Sequence, residues 1–168
     1  MIKPDLFKLV MRRHAASVVL LSIKAGERVH FMTATSFTPV SLDPPLALFC
    51  IHKNNDTHDL VRVGGTVGIS LLSHLQEPLS RRFAAKGAER YSIDDLDLVP
   101  GPEGAVLLSG ACASMEIKVS ERHLAGDHSI FVGYITWAAA EADSSPLVYH
   151  SGQYASVAGL ASAQQGLN

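Results

Sequence analysis

The stretch SVVLLSIKAGERVHFMTATSFTPVSLDPPLALFCI, residues 17–51, decides the fold. Its first seven residues are apolar and β-branched, the composition of a strand with little contact to water. Lys24, Ala25, Gly26 and Glu27 then break the pattern and read as a tight turn. Residues 28–34 read as the returning strand of a hairpin. Residues 35–45 are polar and end in Pro44-Pro45, which predicts a fixed loop, because each proline ring locks its own φ. Residues 46–51 give a third buried strand. Three strands within 35 residues, joined by turns and not by helices, argue for antiparallel pairing.

The rest of the chain extends that pattern. Residues 5–14 place Leu6, Leu9 and Val10 at helical spacing. Residues 56–63 predict a short helix capped by Asp56 or Thr57, ended by Gly64-Gly65. Residues 66–72 form a fourth strand. Residues 75–85 read as a helix with Gly87 as its stop, and residues 86–102 as an irregular charged segment. In residues 111–120, Met115, Ile117 and Val119 alternate with Glu116, Lys118 and Ser120, a strand with one wet face. After the turn Gly126-Asp127-His128, residues 130–137 return as another strand. Residues from 158 onward are small and polar, and read as a frayed tail. Six or seven strands with a few short helices predict a mainly β chain whose antiparallel sheet curls into a barrel. With no linker or repeat, the 168 residues read as one domain.

Composition narrows the function. Apolar residues make up 47% and charged residues 18%, and the net charge is −2. No basic stripe exists for nucleic acid: Arg12-Arg13 and Arg81-Arg82 stand apart. The apolar excess is consistent with surface buried between subunits. Two cysteines, Cys50 and Cys112, lie far from any Cys/His ligand spacing, so no metal site is expected and a reducing cytoplasm is the plainest location. Arg12-Arg13 ahead of the apolar run 15–23 imitate a secretory leader. Lys24 and Glu27 follow at once, however, and no small-residue cleavage site closes the run. No apolar stretch approaches the ~20 residues of a membrane span.

Glycine-rich nucleotide loops, the GxSxG elbow and HExxH are all absent. A bound nucleotide would therefore rely on hydroxyls, backbone amides and scattered cations. The run 32–38 carries Thr33, Thr35, Ser36 and Thr38, suited to ring carbonyls or phosphate oxygens, although an ordinary polar turn has the same composition. His52 and Lys53, with Thr57 at a predicted helix start, suit a phosphate; a capped helix with a solvated lysine reads the same way. His128, in its Gly-Asp-His turn, is a candidate proton donor or nicotinamide contact, or an idle surface histidine. Tyr149, His150 and Tyr154 offer a stacking surface or plain packing.

Four motifs in order then resemble one family. They are MTATSFTPVSLDPPLALFCI at 32–51, QEPLSRRF at 76–83, GDHSIFVG at 126–133 and PLVYHSGQY at 146–154. Together they resemble the short-chain flavin reductases, a split-barrel, FMN-binding family, over roughly residues 6–155. Two departures are Ala16-Ser17-Val18, where a Thr-Gly-Val step is usual, and His30-Phe31, where a glycine commonly precedes Met-Thr. The resemblance implies a Greek-key split β-barrel that dimerises, with flavin in a groove at the subunit interface. Thr33, Ala34, Thr35, Ser36 and Ser41 would line the ring and ribityl chain. Ile51, His52, Lys53 and Thr57 would hold the phosphate end, helped by Arg82 or Phe83. His128, His150 and Tyr154 would shape the nicotinamide pocket, with His128 as the catalytic candidate. The implied activity is reduction of FMN or FAD by NADH or NADPH, supplying a partner monooxygenase. Alternatives are electron delivery from bound flavin to a corrinoid or ferric chelate, and flavin binding without turnover.

Overall fold

The computed structural model describes residues 1–85 and 92–157. The predicted helix stop at Gly87, part of the irregular segment 86–102, and the tail from 158 lie outside the described residues. The elements run in order α1 (Pro4–Met11), β1 (Ala16–Ser17), β2 (Val19–Ala25), β3 (Arg28–Ala34), β4 (Thr38–Ser41), β5 (Leu46–His52), β6 (Thr66–Leu71), α2 (Glu77–Ala84), β7 (Leu98–Pro100), β8 (Val106–Leu108), β9 (Ala113–Ala125), β10 (His128–Ala140), β11 (Leu147–His150) and β12 (Gln153–Ser156). Mainly β with a few short helices is therefore correct.

Seven strands form one antiparallel sheet in the order β3-β2-β6-β9-β10-β5-β4. Its two free edges, β3 and β4, are consecutive in the chain, joined only by residues 35–37. The sheet curls until these edges approach, but no strand ladder closes it. Ser36 crosses the seam. Its Oγ donates to the Cys50 carbonyl at 3.0 Å and accepts from the Cys50 amide at 3.2 Å. One hydroxyl thus does the work of a missing strand partner.

The unbroken apolar run of β2 has a clear cause. Val19, Leu21 and Ile23 point into the barrel with Met32, Phe49, Ile51, Ile69, Ile117 and Phe131. Leu20 points the other way, into a second cluster with Val18, Phe31, Leu72, Phe83, Leu108 and Leu147. Ser22, also on that side, donates to the Val106 carbonyl. A strand covered on both faces needs no polar alternation. At Val18 the chain changes partners: its amide bonds Leu147 of β11, and its carbonyl accepts from Leu72. This switch separates β1, in the small sheet β1-β11-β12, from β2 in the large one.

Two expected features changed. The Pro-rich loop 35–45 contains β4, paired with β5 through a bulge between Pro39 and Ser41. Proline is tolerated there because β4 is an edge strand. The helix expected over 56–63 is a single 3-10 turn, His58–Leu60. Its expected cap, Thr57, makes no side-chain cap bond. Instead Asn55 Oδ1 accepts from both the amide and the hydroxyl of Thr57, an Asx turn that competes with helix formation.

The longest hairpin, β9–β10, turns at Gly126 with φ +60. On β9, Glu116 is fully buried, and its carboxylate accepts from the amides of Glu103 and Ala105 at 2.8 and 2.7 Å. These bonds fasten the β7–β8 connection to the barrel. Glu116→Ala strands two amides, so it is expected to cost about 3 kcal/mol, read as a lower denaturant midpoint. Ser36→Ala should cost about 1 kcal/mol and speed hydrogen exchange at the Cys50 amide, which loses its acceptor. Unchanged protection at Cys50 would show that the seam holds without the hydroxyl.

Candidate functional site

The end of β3 opens into a cleft of about 230 Å³ beside the seam. Val18, Thr33, Ala34 and Thr35 form its floor, and Ser80 and Ala84 of α2 with Tyr149 and Tyr154 form its walls. Tyr154 is held from three sides. Its hydroxyl accepts from buried Ser80 at 2.9 Å, its ring meets Tyr149 edge-on at 5.1 Å, and the Arg81 guanidinium stands 4.8 Å above it. Among the described residues, neither Thr33 nor Thr35 gives its hydroxyl to a protein partner. The lining contains no carboxylate among the described residues. Unpaired hydroxyls beside a fixed aromatic pair suit a planar, polar-edged ligand such as a flavin ring with its ribityl chain.

Across the seam, β5 ends at a second group. His52 and His128 are cross-strand partners, with rings edge-to-face at 5.0 Å. Asp127 Oδ1 lies 2.7 Å from His128 Nδ1, and Asp127 Oδ2 lies 3.8 Å from His52 Nε2. The hydrogen bond from His128 holds the Asp127 carboxyl below its ordinary range, and the charges of His128 and His52 act in the same direction. That bond directs His128 Nδ1 to Asp127 and leaves Nε2 as its outward atom. The Lys53 ammonium is fixed at the turn, donating to the Gly126 carbonyl at 2.6 Å.

Several predicted residues are not on a surface. Ile51 and Phe83 are core side chains, Phe83 packing on Phe31 at 5.4 Å. Thr57 is buried, its hydroxyl donating to Asn55 Oδ1 at 2.7 Å and lying 2.8 Å from Met32 Sδ. These three brace the groove from behind. Ser41 lies at the far end of β4, and His150 is exposed beside Ser151. Arg82 pairs through Nη1 with both oxygens of Asp95 at 2.9 and 2.8 Å. Its Nε and Nη2 are buried without an acceptor among the described residues. Burial also pushes the Cys50 thiol above its ordinary pKa, with the Ser36 hydrogen bond opposing that rise.

Two features escaped the sequence. Ser80, a lone serine in a charged helix, gave no signal until the fold set it under Tyr154. His58 is buried, with Nδ1 2.8 Å from Asp59 and Nε2 2.9 Å from Ser129 Oγ; Arg122 Nη2 lies 3.2 Å from its ring. The order Asp-His-Ser resembles a nucleophile relay. Ser129 is wholly buried, however, so the array pins the turn after β5 to β10.

Known proteins place this geometry in context. The sequence profile described as "flavin reductase like domain" matches residues 11–158. An NADH:FMN oxidoreductase of Rhodococcus erythropolis is 33% identical over 152 residues, covering 88% of this chain and 79% of its own. The NADH:FAD oxidoreductase of Streptomyces globisporus, solved with NAD and FAD fragments, superposes with a TM-score of 0.85 at 30% identity, covering 94% of this chain and 96% of the other. BorF, the flavin reductase component of a bacterial two-component tryptophan halogenase, superposes at 0.84 with 34% identity over 92% and 98% of the two chains. The open seven-stranded barrel matches the fold of those enzymes, and the chain belongs to the flavin reductase-like family.

Proposed function

We propose that this protein is an NADH-dependent flavin reductase that acts as a homodimer and releases reduced FMN or FAD to a separate oxygenase. The observation that carries the reading is the seam cleft: among the described residues, Thr33 and Thr35 with unpaired hydroxyls line it together with the braced Tyr149–Tyr154 pair, and no carboxylate does. Such a lining holds a neutral heterocycle by stacking and by donation to its carbonyls. The flavin supplies the redox chemistry, accepting a hydride from the nicotinamide. The chain's own task is to fix distance and orientation. Thr33, Ala34, Thr35 and Ser36 line the ring, and Ser36 also keeps the seam at a constant width. His52, Lys53 and Arg82 provide the polar and cationic ends of the groove. His128, oriented by Asp127, presents Nε2 to the nicotinamide amide.

Dimerisation is supported by the surface. Leu6, Leu9 and Val10 share one face of α1 and are each about half exposed, and Leu42 is 90% exposed. A second copy covering either set of side chains would remove apolar surface from water. Both cysteines are free, in keeping with the cytoplasm. No helix among the described residues is long and apolar enough to cross a membrane.

Steady-state oxidation of NADH and NADPH with added FMN, FAD or riboflavin tests the proposal. Flavin-dependent NADH consumption is expected, with flavin lost on gel filtration. Absence of both flavin fluorescence quenching and NADH oxidation would overturn it. His128→Ala should raise the KM for NADH several-fold, the loss of one hydrogen bond worth about 1 kcal/mol, with little change in flavin Kd. The reverse pattern would move His128 onto the flavin.

A further inference from the structure

The His52–His128 pair is the last rung of the β5–β10 ladder. Past it the two strands are linked through turn residues: the Lys53 amide donates to the Asp127 carbonyl at 2.9 Å, and the Lys53 ammonium to that of Gly126. Residues 121–127, at the tip of the β9–β10 hairpin, are all exposed. The β9–β10 register also slips between Val132 and Gly133, and such a bulge gives the tip a twist of its own. His128 therefore stands on a weakly supported end of the sheet.

One side chain reaches across this end. His58, in the single 3-10 turn after β5, is 4% exposed. Its Nε2 lies 2.9 Å from the hydroxyl of Ser129, the wholly buried neighbour of His128. From β9, Arg122 brings Nη2 to 3.2 Å from the same nitrogen. The guanidinium sits 5.6 Å over the ring of Phe131, its own ladder partner, and the imidazole meets that ring edge-on at 6.1 Å. Asp59 Oδ1 is 2.8 Å from Nδ1 and 3.8 Å from Arg122, so it accepts from Nδ1–H and offsets the guanidinium charge. Nε2 is then the acceptor for the Ser129 hydroxyl. A single imidazole thus ties both strands of the hairpin to the turn that carries Lys53. That turn has its own fastening, with the Thr57 hydroxyl on Asn55 and against Met32. Loss of the tie would free the hairpin tip and leave the turn in place.

We propose that His58 is a positioning residue for the hydride donor: acting through Ser129, it fixes where the hairpin tip holds the His128 imidazole relative to His52 and Lys53. The inference rests on the flavin reductase reading and adds to it a residue that meets no ligand. A group that aligns a reactant loses far more from a displacement of about an ångström than from the broken contact alone. A purely structural tie would change stability and leave the kinetics of the folded enzyme unmoved.

Three substitutions test this. His58→Leu removes both polar bonds at similar volume. His58→Gln keeps an acceptor for Ser129. Ser129→Ala breaks the link from its other end by removing one oxygen, and serves where His58→Leu does not fold. His58→Leu and Ser129→Ala should each raise KM for NADH at least about fivefold, with flavin Kd within about twofold, and His58→Gln should recover most of the loss. In a His128→Ala background, His58→Leu should add less than about twofold, because it acts through the group already removed. The ring-proton resonances of His128 in the free protein should shift in His58→Leu and Ser129→Ala and return in His58→Gln. Folded variants with unchanged resonances and unchanged KM, or full additivity with His128→Ala, would overturn the proposal. Shifted resonances in a protein whose parent form oxidises no NADH with any flavin would instead defeat the reductase reading and leave the link from His58 to His128 standing.

Discussion

The structure depends on one unclosed seam. A seven-stranded antiparallel sheet has two edges, and exposed edges invite pairing with other chains. Here the edges are β3 and β4, consecutive in sequence and therefore never far apart. The three residues between them are too few to let the edges separate, and the two strands are nevertheless unpaired. Ser36 settles the spacing by bonding both backbone groups of Cys50. The result is a barrel with a slot, and the hydroxyls of Thr33 and Thr35 stand at its rim because they end the strand that borders it. Architecture and binding surface thus arise from the same seven residues.

A slot is useful only if its walls do not move. Here the bracing comes from behind. Phe83 on Phe31 seats α2 on β3, which brings Ser80 under the Tyr154 hydroxyl. Thr57 and Met32 pack the turn after β5 against the barrel interior, and His58 joins that turn to Ser129 of β10. Each is a buried polar or aromatic contact whose loss would leave a void or an unpaired group. Motif residues without access to ligand are therefore explained by support: the family pattern at 32–51 and 76–83 records the slot and its scaffold together.

The large sheet was legible in the sequence because its strands carry strong signals. Residues 17–23 lack alternation, and the structure shows why: Leu21 faces one core and Leu20 another. Residues 111–120 alternate in residue type, but the polar side of β9 is not all wet: Glu116 is buried because its carboxylate accepts from the Glu103 and Ala105 amides, while Lys118 on the same side is exposed. What escaped depends on tertiary context. β4 hid in a proline-rich stretch, since edge strands tolerate proline. Thr57 looked like a helix cap, but the decisive partner was Asn55, whose side chain closes an Asx turn. Hydroxyls at 33–36 stood out by composition, yet composition alone could not tell Ser36, spent on Cys50, from Thr33 and Thr35, whose hydroxyls have no partner among the described residues. The aromatic pair was visible as residue types; its partner Ser80 was not, because nothing local marks a serine that meets a tyrosine 74 residues away.

The distribution of charge around the slot fits the proposed chemistry. Hydride transfer moves two electrons and one proton together, so the step itself asks for no general base. A carboxylate beside the ring would oppose the negative charge that a reduced flavin carries, and the cleft lining contains none among the described residues. Asp127 is engaged by His128, with His52 beyond, and Asp95 is engaged by Arg82. Partnered in this way, Asp127 orients the His128 imidazole. In the proposed reading, neutral donors at the rim would fix the plane of the acceptor, and the His128 imidazole with the Lys53 ammonium on the same turn would fix the reach of the donor. The barrel core contributes neither contact; it supplies the rigidity that keeps both at constant separation.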